Sequence, residues 1–330
     1  MNYLKYNQEF DKLSGKEKFL LYKCQKSVEA FIKNSSNISN TNYATRGAHA
    51  KSYAVLQGKF QVLDNLPEYI SNVFKEKQYE VLVRLSNANL VINRTGKDIP
   101  AYGFSLKIKD VDGKNANFPL VNFPLFPIKS VSKFLKFFTA VNTFLVTKAD
   151  NFVVSAMDLP FVIKNAVGFV PHLFSLDFGK NVAKILKKVN DFILSFDFYS
   201  IGVYRLGDYM MKIKIVPKNI DRNYDNHSNQ KIRTENYIKS NDADFDVLVQ
   251  LCANIQKQPI NDLTKEWKNA PYLNIGSITF FQNSLLDIDK SEVEKLSFNP
   301  FENSENLLPV GKIQQLRKSV YETSIKNRRS

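Results

Sequence analysis

Val81-Leu82-Val83-Arg84-Leu85-Ser86 sets Val81, Val83 and Leu85 in alternation with Leu82, Arg84 and Ser86, and that alternation decides the fold class. In extended backbone successive side chains point to opposite faces, so each set of three shares one face of a strand. The same period of two recurs in Phe104, Leu106 and Ile108 against Ser105, Lys107 and Lys109. It recurs again in Tyr209, Met211, Ile213 and Ile215 against Met210, Lys212 and Lys214, and in Phe245, Val247, Val249 and Leu251. Strands with two unlike faces belong to an antiparallel sheet or barrel.

Outward from these strands the period becomes helical. Residues 3–33 read as a helix carrying Leu4, Phe10, Leu13, Leu20 and Phe31, and the polar run Asn34–Asn42 reads as a loop. Phe134, Phe137, Phe138, Val141 and Leu145 share one helical face, and Val182, Ile185, Leu186, Val189, Phe192 and Ile193 share another. Lys180, Lys184, Lys187 and Lys188 back the second face, as a solvated surface or as a contact for an anionic membrane. Residues 217–243 are polar and turn-rich, which predicts an exposed loop. Strands before and after a helical block, without internal repeats, give an α+β domain.

Composition narrows the function classes. The chain has 330 residues, with 46 Lys+Arg against 32 Asp+Glu, for a net charge of +14. The apolar fraction of 44% supports a buried core and excludes a disordered chain. No apolar run reaches the roughly 18 residues of a membrane-spanning helix. The basic residues are spread along the chain and match no nucleic-acid motif, so a nucleic-acid partner is not expected. Met1-Asn2-Tyr3-Leu4-Lys5 leads into a charged pattern with no apolar signal region. Cys24 and Cys252 are too far apart for a zinc motif or a disulfide framework. The expected location is therefore the reducing cytoplasm.

Several short segments carry candidate chemistry. They are Arg46-Gly47-Ala48-His49, Val83-Arg84-Leu85-Ser86, Tyr102-Gly103-Phe104-Ser105-Leu106-Lys107 and Val121-Asn122-Phe123-Pro124-Leu125-Phe126. Leu296-Ser297-Phe298-Asn299-Pro300-Phe301 follows, then Pro309-Val310-Gly311 ahead of Arg317 and Tyr321. Each is weak alone. In this order they resemble the heme catalase superfamily, and the closing segment resembles its short catalase-like branch, which is related to the allene oxide synthase domain. The resemblance runs from about Thr45 to Arg328.

The resemblance implies an antiparallel β-barrel surrounded by helices, with heme b buried between barrel and helices. Within a single domain overall, residues 1–42 form the N-terminal helix and polar loop read above, and the resemblance makes residues 43–330 the catalase-like heme domain. Tyr321 would be the axial ligand of the iron, and Arg317, one helical turn earlier, would stabilise the phenolate. His49 would be the distal proton shuttle, oriented by Ser86, and Asn122 would hydrogen-bond bound peroxide. Arg46, Arg84 and Arg328 would neutralise the heme propionates, and Phe134 would stack on the heme face. The implied activity is that of a peroxidase or catalase acting on a peroxide or lipid hydroperoxide. Two alternatives stay open: a fatty-acid hydroperoxide isomerase, dehydratase or lyase of the allene oxide synthase type, and a heme-binding protein without turnover. A homo-oligomer is compatible with each.

The chain also departs from the family pattern. Val-Asn-Phe-Pro is shorter than the family's Asn-Asn-Thr-Pro-like stretch. Ile325 stands where long catalases carry His. Ala48 matches neither the threonine of the allene oxide synthase domain nor the valine of long catalases.

Overall fold

A computed structural model describes residues 2–92, 101–126, 128–148, 188, 190–225, 227 and 229–329. Ten strands form one sheet: β1 (Ser52–Val62), β2 (Gln78–Asn87), β3 (Tyr102–Val111), β4 (Lys114–Val121), β5 (Phe198–Tyr199), β6 (Val203–Leu206), β7 (Tyr209–Pro217), β8 (Ala243–Leu251), β9 (Leu273–Phe280) and β10 (Pro309–Val310). The ring runs β1-β2-β3-β4-β5-β7-β8-β9, every step antiparallel, and β9 pairs back onto β1. The alternation predicts an antiparallel sheet or barrel, and a barrel with helices around it is what the resemblance implies. β6 and β10 extend it from one end of β7. At the closing seam Val62 sits opposite Gly276, where an added Cβ would strike the Gln61 carbonyl, so the strands meet only because Gly276 has no side chain.

The period of two sorts the side chains. Val81, Val83 and Leu85 are fully buried with Phe104, Leu106, Phe198, Phe245 and Phe280 in the main core. Phe104 joins four strands: its ring centroid lies 4.9 Å from Phe198, 5.5 Å from Phe245 and 6.2 Å from Phe280. Each such ring contributes about 1.5–3 kcal/mol by leaving water.

The helices are α1 (Gly15–Ser39), α2 (Glu68–Ser71), α3 (Val131–Lys148), α4 (Gln230–Ser240), α5 (Lys290–Lys295) and α6 (Lys312–Arg329). α1, α3 and α6 share a second apolar cluster outside the barrel, built on Cys24, Val28, Phe31, Leu135, Val141, Ile313 and Leu316. None of the described helices is long and apolar enough to cross a membrane.

Three expectations are corrected. The N-terminal helix begins at Gly15, not at residue 3, because Ser14 caps it: Glu17 N donates to Ser14 Oγ at 3.3 Å and Ser14 N to Glu17 Oε2 at 2.8 Å. The helix then runs through the supposed polar loop to Ser39. Ser35 is fully buried, donates to the Ile32 carbonyl at 2.7 Å and accepts from Thr45 N at 2.8 Å, so its polar group is satisfied inside the structure. The stretch 217–243 is not all loop, since α4 starts at the Asn229 cap, whose side chain accepts from Lys231 N at 2.9 Å. Most of the predicted lysine-backed helix, residues 180–187 and 189, lies outside the described residues. Ile193 belongs to a short 3-10 turn, Ile193–Ser195.

Candidate active site

A cavity of about 310 Å³ lies between the outer face of β2, β3 and β4 and the helices α1, α3 and α6. That volume is at the low end of small-molecule sites. Its wall is largely apolar, with Phe123, Phe126, Phe134, Phe138 and Val320 prominent, and Arg46, His49, Arg84, Arg317 and Tyr321 supply the charged and polar edge. Residues 46–49, strand β2 and helix α6, far apart in sequence, therefore converge on one space.

α6 presents the phenol. Arg317 and Tyr321 are four residues apart and so share a helical face. Arg317 Nη2 donates to the Tyr321 oxygen at 2.8 Å, and its carbon Cζ lies 5.3 Å from the Tyr321 ring centroid. Gln314, one turn earlier, accepts from Arg317 Nη1 at 2.9 Å and donates to the Val203 carbonyl at 3.3 Å, which ties the pair to β6. Burial opposes the Arg317 charge, but Tyr321 and Tyr204 more than offset it, so the guanidinium is held above its ordinary pKa. Tyr204 is fully buried beside this pair, and burial pushes its phenol well above its usual range.

His49 lines the same cavity as that pair. It adopts a left-handed backbone, φ 55°, and its carbonyl accepts from Arg84 Nη2 at 2.8 Å. Its Nδ1 is 3.2 Å from Oγ of the fully buried Ser86. Gly103 on β3 makes room for this contact: a Cβ there would come within 2.6 Å of Ser86 Oγ and 2.7 Å of His49 Nδ1. His49 is half-buried and lines the cavity. Burial first, and then Arg84, Arg317 and Arg46, lower the imidazole pKa to about 3, so the ring is neutral at pH 7.

The expected residues do not all meet. Arg46, His49, Arg84, Phe134, Arg317 and Tyr321 share the cavity, with Ser86 directly behind His49. Phe134 projects from α3, 5.1 Å from Phe126 and 5.8 Å from Phe138 between ring centroids. Asn122 is buried and accepts from Tyr102 N at 2.8 Å, while the neighbouring Phe123 takes the place on the wall. Arg328 falls within α6, but its side chain lies outside the described residues. Gly103, Tyr204, Glu294 and Gln314 were not singled out from the sequence. Of these only Gly103 lay in a quoted motif.

The donor set fits heme. Among the described residues no three His, Cys, Asp or Glu side chains cluster as a bare metal ion would need. A phenol oxygen paired with an arginine suits instead an iron whose remaining ligands arrive with it. The flat aromatic wall suits a macrocycle, and the arginines at its edge suit attached carboxylates.

No family model and no curated protein sequence matches the chain. Its fold is similar to that of solved catalases. A fungal catalase aligns with a TM-score of 0.62 at 18% identity, over 88% of this chain and 60% of that one. Catalase A from Saccharomyces cerevisiae gives 0.61 at 20% identity, over 88% and 62%. A bacterial catalase gives 0.64 at 17% identity, over 88% and 58%. The chain thus spans about three fifths of the length of these catalases, and what it has in common with them is the catalase fold.

Proposed function

We propose that the protein is a heme enzyme that reduces a hydroperoxide by two electrons. The observation that carries this reading is the Tyr321 oxygen, hydrogen-bonded by Arg317, on the same cavity as the His49–Ser86 pair. Tyr321 would hold the iron, Arg317 would favour the phenolate, and Arg46 and Arg84 would face the heme carboxylates. When bound, the heme would lend the two electrons that, with two protons, divide ROOH into ROH and water, and a reducing co-substrate, or a second hydrogen peroxide oxidised to O₂, would return them.

His49 supplies the proton traffic. With Nδ1–H donating to Ser86 Oγ, Nε2 keeps its lone pair for the cavity. A neutral imidazole can take the proton from one peroxide oxygen and return it to the other, so that water or an alcohol leaves instead of an anion. The lowered pKa keeps this nitrogen unprotonated throughout the physiological range. The phenylalanine wall would exclude water and accept the alkyl part of an organic hydroperoxide, at about 0.8 kcal/mol per buried CH₂.

The test is steady-state turnover of heme-loaded protein with hydrogen peroxide and with a long-chain alkyl hydroperoxide, each in the presence of an oxidisable phenol as electron donor. We expect consumption of both and a higher kcat/KM for the alkyl substrate. Heme-loaded protein that consumes neither would contradict an enzymatic role.

A further inference from the structure

Arg46 and Arg84 come from separate segments and meet on one carboxylate. Glu294, 5% exposed, accepts from Arg46 Nε through Oε2 at 3.1 Å, and its Oε1 lies 3.5 Å from Arg84 Nη2. The Val293 and Leu296 carbonyls each accept from Arg46 Nη2 at 2.8 Å, which fixes that guanidinium in place. Arg84 Nη2 also donates to the His49 carbonyl. A carboxylate with a guanidinium on each oxygen is already a filled anion site, formed within this chain. Such a buried group is tolerated only because opposite charges compensate one another.

We propose that Glu294 is a positioning residue acting as a built-in competitor, an internal carboxylate that occupies Arg46 and Arg84 and so limits how tightly the cavity holds a ligand's carboxylates. This rests on the heme reading above, because the ligand carboxylates in question are the propionates. An incoming carboxylate would be attracted by the arginines and repelled by the Glu294 charge that they already hold. Removing the Glu294 charge leaves the arginines under-compensated in the empty protein and compensated in the loaded one. By linkage, ligand carboxylates then bind more tightly.

The experiment compares heme with heme dimethyl ester, which lacks both propionate charges, in wild type and Glu294→Gln. The rate at which each porphyrin leaves the loaded protein for excess apomyoglobin is the readout. Glu294→Gln should slow heme loss on the order of tenfold and leave loss of the ester unchanged. Glu294→Asp keeps the charge but draws it back by one methylene. It should fall between the two, and it carries the test if Glu294→Gln does not fold. Faster or unchanged heme loss, or equal changes for heme and ester, overturns the proposal. Failure of wild type to bind either porphyrin would overturn the heme reading itself, and this assignment with it.

Discussion

Strand β2 has two faces that solve different problems. Val81, Val83 and Leu85 point into the barrel and are fully buried among apolar neighbours, whereas Arg84 and Ser86 point outward and hold His49 at the cavity. The inward face is stabilised by packing, which is non-directional and tolerates exchange of similar volumes. The outward face buries charge and hydrogen-bonding groups, which are tolerated only with particular partners. One strand therefore divides its residues between holding the fold and building the site, and substitutions on the two faces should fail in different ways.

Phe104, in the barrel interior, should show the largest effect on stability. Phe104→Ala removes a ring packed against three others and should cost about 3–5 kcal/mol, read as a fall in chemical or thermal unfolding midpoint. Loss of less than about 1 kcal/mol would mean that the interior is not packed as described.

His49, on the cavity side, should show the reverse. His49→Asn keeps a residue that accepts the left-handed backbone and removes the imidazole. Turnover of the heme-loaded variant should drop about 10²–10⁴-fold, with the unfolding midpoint at pH 7 little changed. Full turnover would remove His49 from the chemistry.

A further effect depends on pH and is absent at neutrality. The folded-state pKa of His49 is depressed, so below about 6.5 the unfolded chain takes up a proton that the native state refuses. The native state therefore loses stability as pH falls from 6.5 toward 3, by at most about 1.4 kcal/mol per pH unit, and this group contributes nothing above 6.5. Subtracting the stability curve of His49→Asn from that of wild type should isolate this slope. Parallel curves between pH 6 and 4 would show that the imidazole is not enclosed.

The two faces were not equally legible in the sequence. The barrel was, because a period of two survives in any strand that separates core from exterior. The far end of α1 was not: Asn34 and Ser35 read as loop formers, and only tertiary partners such as Thr45 N make them helical. Arg46, His49, Arg84, Arg317 and Tyr321 were legible only as an ordered set, since no local spacing joins segments that the fold alone brings together. Glu294 lies in Lys290-Ser-Glu-Val-Glu-Lys295, which reads as a solvated charged turn, and nothing in that hexamer signals that one carboxylate is buried against two arginines. Asn122 shows the converse, a residue of suitable chemistry whose side chain bonds the strand backbone at Tyr102.

We propose that the Tyr321 oxygen and the His49 ring serve one ligand in different roles, the first holding it and the second moving protons beside it. Heme titration followed by absorption spectroscopy of Tyr321→Phe and His49→Asn tests this directly. We expect His49→Asn to bind heme stoichiometrically with a high-spin ferric, phenolate-type spectrum, and Tyr321→Phe to lose most of its heme or shift to a different ligation. An unchanged spectrum and heme content in Tyr321→Phe would contradict the account.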